Sequence, residues 1–184
     1  MLWCKTGKTM ILVVMGVAGC GKTSVGEMLA ERLGWAFLEG DAFHPQANRD
    51  KMAAGTPLTD DDRRPWLDEI AAEMQRHAGR GENAVVTCSA LKKSYRDRLR
   101  AGAGAGGPDI AELRFVHLTG ARAVLEERIG SRTGHFMPAS MLDSQLATLQ
   151  PPGPDEGAIT VDIDQMLERI VGEVTEVLRR PGGG

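Results

Sequence analysis

This chain of 184 residues has no apolar run approaching the roughly 20 residues needed to cross a bilayer, and its start lacks a signal-peptide apolar core. A cytoplasmic protein is therefore expected. Cysteine is scarce. Cys4, Cys20 and Cys88 are odd in number and scattered without metal-ligand spacing, which argues against a disulfide framework and suits a reducing compartment. His44, His77, His117 and His135 fall on different predicted elements, so a histidine metal centre has no support. No cysteine shares a local context with a histidine, and Cys–His catalysis loses support with it. Charge of one sign is also missing. Lys and Arg number 22 against 25 Asp and Glu, for a net charge of −3, so no basic footprint argues for nucleic acid or an anionic membrane. No internal repeat is visible. The length allows one well-buried domain and is too short for two, so a single domain over 1–184 is expected, with 1–8 and 181–184 as disordered tails.

What is present centres on Met10-Ile-Leu-Val-Val-Met-Gly-Val-Ala-Gly-Cys-Gly-Lys-Thr-Ser24. Ile11 to Met15 reads as a buried strand, Gly16 to Thr23 as a glycine-rich loop, and Val25, Met28, Leu29 and Leu33 recur at helical spacing. Strand, loop and helix in that order are the context of a phosphate-binding P-loop. Gly16, Gly19 and Gly21 let backbone N–H groups converge on an anion, and the helix opening at Lys22 adds its positive dipole end. Val17, Ala18, Cys20 and Ser24 complete the nucleotide cradle. Lys22 would reach the β- and γ-phosphates, and the Thr23 hydroxyl would ligate Mg²⁺. A thiol at a helix N-terminus is acidified, so Cys20 is expected to react with alkylating agents. These residues predict a nucleoside-triphosphate site.

Short apolar strands then alternate with helices: strands at 35–41, 84–90, 113–118 and 159–163, helices at 45–55, from Trp66 to Gly79, 91–100, 121–129, 138–150 and at the C-terminus. In the last helix Met166, Leu167, Ile170, Val171, Val174 and Leu178 form the inward face. Residues 101–108, rich in Gly and Ala, read as a mobile exposed loop. The alternation predicts an α/β fold, a five-stranded parallel sheet covered on both faces. Binding residues should gather at the C-terminal strand edges.

Several residues stand where chemistry would need them. Asp41 ends the second strand beside the P-loop, as a base for a substrate hydroxyl, a partner of Mg²⁺, or an N-cap of the helix that follows. His44, Asn48 and Lys51 share one helical face, which serves either a ligand or solvent. Asp60 to Asp62 with Arg63 and Arg64 form a charged loop that could cap the Trp66 helix. Lys92, Lys93 and Arg96 follow a strand and suit an anionic substrate or a migrating phosphoryl group. Arg128, Arg132 and His135 flank a Gly-bounded segment where a lid would carry arginines onto the nucleotide; solvated helix ends are the other reading.

Three blocks narrow this further. His44-Pro45-x-x-Asn48-x-x-Lys51-Met52-x-x-Gly55-x-Pro57-Leu58-x-Asp60-x-Asp62-Arg63-x-Pro65-Trp66-Leu67, Cys88-Ser-Ala-Leu-Lys-Lys-x-Tyr95-Arg-Asp97, and Gly134-His-Phe-Met-Pro-x-x-Met-Leu-x-Ser-Gln145 follow the P-loop in order. Together they resemble the gluconokinase family. The resemblance implies the three-layer P-loop kinase fold with a short lid at about 127–140, and ATP-dependent phosphorylation of D-gluconate at its 6-hydroxyl. It places ATP on 16–24 and Arg128, and Mg²⁺ on Thr23. It assigns the sugar acid to Asp41, His44, Asn48, Lys51, Arg63, Lys92, Arg96 and His135. Lys22, Asp41, Lys92 and Arg132 carry the chemistry in this reading. A homodimer is compatible with it. Ala18 and Cys20 replace two serines often seen in such loops, Leu146-Ala147 replaces an aromatic-acidic pair, and 101–108 resembles an insertion. Rival readings are another small-metabolite kinase, such as a shikimate or adenylylsulfate kinase, and a non-catalytic nucleotide switch.

Overall fold

A computed structural model describes residues 9–107, 110–131 and 139–180. Arg132, His135, residues 132–138 of the expected lid and both expected tails lie outside the described residues. Five parallel strands, β1 (Thr9–Met15), β2 (Ala36–Leu38), β3 (Ala84–Thr87), β4 (Ile110–Thr119) and β5 (Ile159–Asp162), stand in the order β2-β3-β1-β4-β5. β1 is central because every residue from Ile11 to Met15 is apolar and fully buried, as a strand covered on both faces requires. It pairs with β3 through Ile11–Val14 and with β4 along its whole length.

Alternation along β1 divides the core. Leu12 and Val14 join a cluster with Val25 and Leu29 of α1 (Lys22–Leu33), Leu125 of α5 (Arg122–Gly130), Leu142 of α6 (Ala139–Thr148), and Ile170 and Val174 of α7 (Leu167–Arg179). Ile11, Val13 and Met15 face Trp66, Ile70 and Met74 of α3 (Asp60–Gly79) and Tyr95 and Leu99 of α4 (Lys93–Ala103). The remaining helix, α2 (Gln46–Ala53), is mostly polar, with Asn48 buried.

Four sequence expectations are corrected. α3 begins at Asp60, not near Trp66, because Thr59 and Asp62 form a reciprocal capping box and three acidic residues meet the positive helix end. Pro65 consequently lies inside the helix. The 101–108 stretch is not simply an exposed loop. α4 continues through Ala103, which is buried, and a Cβ at Gly102 would lie 2.9 Å from the Ala71 Cβ, so the glycine lets α4 approach α3. Met166 is not inward: it precedes α7 and is 73 % exposed. Finally, β2 stops at Leu38, and Asp41 sits in a 3-10 turn, Gly40–Phe43.

That last change positions the site. A Cβ at Gly40 would lie 1.8 Å from the Thr87 carbonyl, so only glycine passes there. The Thr87 hydroxyl accepts from Gly40 N–H at 3.0 Å, and Trp66 Nε1 donates to the Gly40 carbonyl at 2.8 Å. These bonds draw the chain out of the strand and present the next residue, Asp41.

Candidate active site

The loop between β1 and α1 has Gly16, Gly19 and Gly21 at φ of 145°, 80° and 90°, conformations L side chains rarely adopt. Gly21 caps α1 with no side-chain bond, and the first helical bond runs from Val25 N–H to the Gly21 carbonyl. The N–H groups of Lys22, Thr23 and Ser24 are thus orphan donors at a positive helix end. Lys22 Nζ folds back onto the carbonyls of Gly16 and Val17, each at 3.1 Å. An anion seated on the amides would draw it away. The Cys20 side chain is fully buried, and a Cβ on Gly16 would lie 2.8 Å from its Sγ. This corrects the expected reactivity, since alkylation needs an accessible thiol.

Across the strand edge stands a carboxylate that sequence reasoning missed. Glu39 accepts from the Thr23 hydroxyl at 2.8 Å and from the Thr87 hydroxyl through its other oxygen. The available signal was Glu39-Gly-Asp41, two acids two residues apart at a strand end. Thr23 and Glu39 both line a cleft of about 200 Å³, together with Lys22, Asp41, His44 and Arg63. Their hard oxygen donors suit Mg²⁺.

Asp41 does not cap α2, whose N-cap is Pro45 with no side-chain bond, so the capping reading fails. Partial loss of hydration against the cleft wall raises its carboxyl above the ordinary range, Lys22 opposes the rise, and Glu39 adds to it. With 74 % of the side chain still meeting solvent, the dehydration is incomplete. His44 Nε2 lies 4.0 Å from an Asp41 oxygen. The imidazole is buried, stacked on Trp66 with centroids 4.1 Å apart and planes 12° from parallel. Burial and the charges of Arg63 and Arg49 push it down to about 4, so it is neutral at pH 7. Asn48 Nδ2 stands 3.3 Å from His44 Nδ1 and donates to the Asp62 carbonyl at 2.8 Å. An amide nitrogen only donates, so Nδ1 is the acceptor and Nε2 carries the proton toward Asp41.

The predicted cations separate sharply. Lys51 Nζ pairs with Asp62 at 2.7 Å, and Lys92 Nζ reaches both Asp60 oxygens at 2.7 and 2.8 Å. Neither lines the cleft, and neither does Asn48. Arg96 is a correction: it is fully buried, forks onto Glu156 at 2.6 and 2.7 Å, and does not line the cleft. Its Nη1 also donates to the carbonyl of Ala90, held at a φ of 45°, just after Ser89, whose carbonyl accepts from Gly16 N–H at 3.3 Å. Arg96 therefore supports the P-loop from below. Arg63 alone of these cations is on the cleft wall, over the Tyr95 ring at 5.9 Å, with no carboxylate in ion-pair contact among the described residues.

On the other side of the loop, Arg128 donates to the Ile163 carbonyl at 2.6 Å and lines a second cavity with Gly19, Gly21, Ser24 and Leu167. A nucleotide with phosphates on the loop can extend there. A second missed residue is Gln145 of α6, whose Oε1 accepts from Ala18 N–H at 2.7 Å. Its place beside the loop is invisible to local reading, because 127 residues separate the two.

A family model described as an AAA domain matches residues 11–152. The chain is 49 % identical over 167 residues to a gluconokinase of Gluconobacter oxydans, covering 91 % of this chain and 90 % of the relative. It is 44 % identical over 173 residues to a probable gluconokinase of Xenopus tropicalis, covering 90 % and 91 %. A crystal structure of a gluconokinase from Sinorhizobium meliloti superposes with a TM-score of 0.80 at 52 % identity, covering 95 % of this chain and 93 % of that one.

Proposed function

The chain belongs to the gluconokinase family of P-loop kinases, and from that premise we propose that it transfers the γ-phosphoryl group of ATP to the 6-hydroxyl of D-gluconate. The observation that carries the reading is one cleft with a phosphate loop, a raised carboxylate and an unpaired arginine on its walls. The loop over residues 16–24 binds the phosphates through those of its backbone amides that are not engaged within the protein, with Lys22 released from its loop carbonyls to the terminal oxygens. Thr23 and Glu39 would hold Mg²⁺. When bound, the ion offsets charge on the β- and γ-phosphates. Arg128 borders the cavity that would take the nucleoside.

Asp41 orients the 6-hydroxyl and accepts its proton. A carboxyl raised above its ordinary range is a better base, and as the proton leaves for Asp41 the attacking oxygen meets the γ-phosphorus in line. Neutral His44 donates through Nε2 to the acceptor hydroxyls or to Asp41, and its stack on Trp66 fixes the ring. Arg63 takes the gluconate carboxylate, as the cleft arginine with no carboxylate partner among the described residues. Asn48 and Lys51 act behind this wall by tying α2 to the start of α3 through Asp62. Lys92 ties α4 to the same turn through Asp60. Arg132 and His135 keep lid roles on their motif alone.

A coupled assay for ADP release, run with gluconate, with shikimate and with no acceptor, tests the reading. Release that depends on gluconate supports it. Release with shikimate alone, or at one rate in all three arms, would overturn it.

A further inference from the structure

Gln145 offers more than a hydrogen bond to the loop. Its partner Ala18 N–H has only a proton to give, so the bond at 2.7 Å decides which way the side-chain amide points. The oxygen faces the loop, and Nε2 is therefore the free end. No acceptor holds Nε2 among the described residues. Gln145 lines the same cleft as Ala18, Lys22, Asp41 and Arg63, with Ser144 and Met141 beside it on α6. It is half-buried, so its two N–H donors are oriented by the protein and still open to a ligand.

The loop amides sharpen the point. Ala18 N–H is already satisfied by Gln145, and Cys20 N–H is in a long contact with the Val17 carbonyl at 3.4 Å. Among the described residues the amides of Gly19, Gly21, Lys22, Thr23 and Ser24 have no partner and remain for the anion. The Ala18–Gln145 bond thus takes one amide out of the phosphate cradle. In exchange, it leaves two unengaged side-chain donors from a different helix on a residue of the cleft wall. An uncharged donor held in place costs no reorganisation when charge moves onto the phosphoryl oxygens.

Resting on the phosphotransfer reading above, we infer that Gln145 is a further catalytic residue, whose Nε2 donates to the phosphoryl group during its transfer. The atoms balance without it. The γ-phosphorus–oxygen bond to ADP breaks, the bond to the acceptor oxygen forms, and the acceptor proton goes to Asp41. Gln145 neither gains nor loses a proton.

Two variants separate the free end from the bound end. Gln145→Glu keeps an oxygen for Ala18 N–H and puts a second oxygen where Nε2 stood. Gln145→Met keeps the length and loses both. Removal of a single aimed donor lowers turnover by about 10²-fold or more. Both variants should therefore fall by that factor in kcat, with Gln145→Glu at least as low as Gln145→Met. Gln145→Glu should keep the melting temperature of the parent and bind ADP within about threefold, since ADP lacks the transferred group. Acceptor-free ATP hydrolysis should fall in step, because the donor acts on the phosphoryl group whatever receives it. Parent-like kcat in Gln145→Glu with a loss only in Gln145→Met would reduce Gln145 to a brace for the loop and overturn the inference. So would parent-like kcat in both, or an ADP affinity that falls as far as kcat. A parent that ignores gluconate, while its slow hydrolysis of ATP still falls in Gln145→Glu, would sink the gluconate reading and leave this one standing.

Discussion

Replacing Arg96 by Met distinguishes an arginine that builds the site from one that touches substrate. Its guanidinium forks onto Glu156 at 2.6 and 2.7 Å with both side chains essentially sealed from water, 0 % and 3 % exposed. Breaking a buried pair by removing one partner costs about 3–5 kcal/mol, because the other charge is left without compensation. Glu156 retains Gly153 N–H at 3.0 Å and Arg100 at 3.5 Å, which puts the expected loss near the lower end, about 3 kcal/mol. At about 2–4 °C per kcal/mol for a domain of this size, the melting temperature should fall by about 6–12 °C. The pH dependence supplies a second check. Arg96 first, and the Gly153 N–H with it, holds Glu156 at about 2, below the ordinary value near 4.5. A depressed carboxylate stabilises the fold above its unfolded pKa, and that stability is lost as pH falls through the folded one. The parent should therefore lose about 3 kcal/mol from this group between roughly pH 5 and pH 2. Arg96→Met has forfeited most of that term already, so parent and variant should converge in acid. Arg96→Met with Glu156→Leu should recover most of the loss, since an apolar pair leaves no buried charge. Circular dichroism melts at several pH values, with steady-state kinetics well below the melting point, measure all of this. An unchanged melting temperature with a 10- to 100-fold rise in gluconate KM would refute the reasoning and return Arg96 to the substrate.

The same logic of engaged and unengaged charges predicts that Arg63→Met raises KM for gluconate by about 10- to 100-fold, the worth of a charge-assisted bond, with KM for ATP little changed. Lys51→Met should leave gluconate KM within about twofold, because its charge is already engaged by Asp62 outside the cleft; the reverse ranking in steady-state kinetics would exchange the two roles. Asp41→Asn should lower kcat by about 10²-fold or more while ADP still binds, and retained kcat would remove the base assignment. Cys20 should be alkylated far more slowly than a free thiol, and slower still with ADP bound, as read by mass spectrometry of its peptide. Labelling at the free-thiol rate would contradict its burial.

Local chemistry made much of this protein legible. Residues 10–24 carry their own instructions: five apolar residues, glycines where φ is positive, and a helix opening on Lys22 and Thr23. The parallel sheet followed from the same kind of evidence, because strands buried on both faces read as continuous apolar runs and helices as periodic ones. Asp41 was legible as a strand-edge carboxylate, and the motif order named the family. What one-dimensional reading could not sort was which charges are already satisfied. Lys51, Arg63, Lys92 and Arg96 look equivalent along the chain. Their fates are decided by carboxylates 11 residues away for Lys51, 32 for Lys92 and 60 for Arg96, and by the lack of one among the described residues for Arg63. Glu39 took its meaning only when Thr23 and Thr87 converged on it, and Gln145 only when α6 lay against the loop. Backbone conformation answers to neighbours in sequence, through sterics and periodicity. The availability of a charge or a hydrogen-bond donor answers to neighbours in space, and those exist only once the sheet has brought its strand edges together.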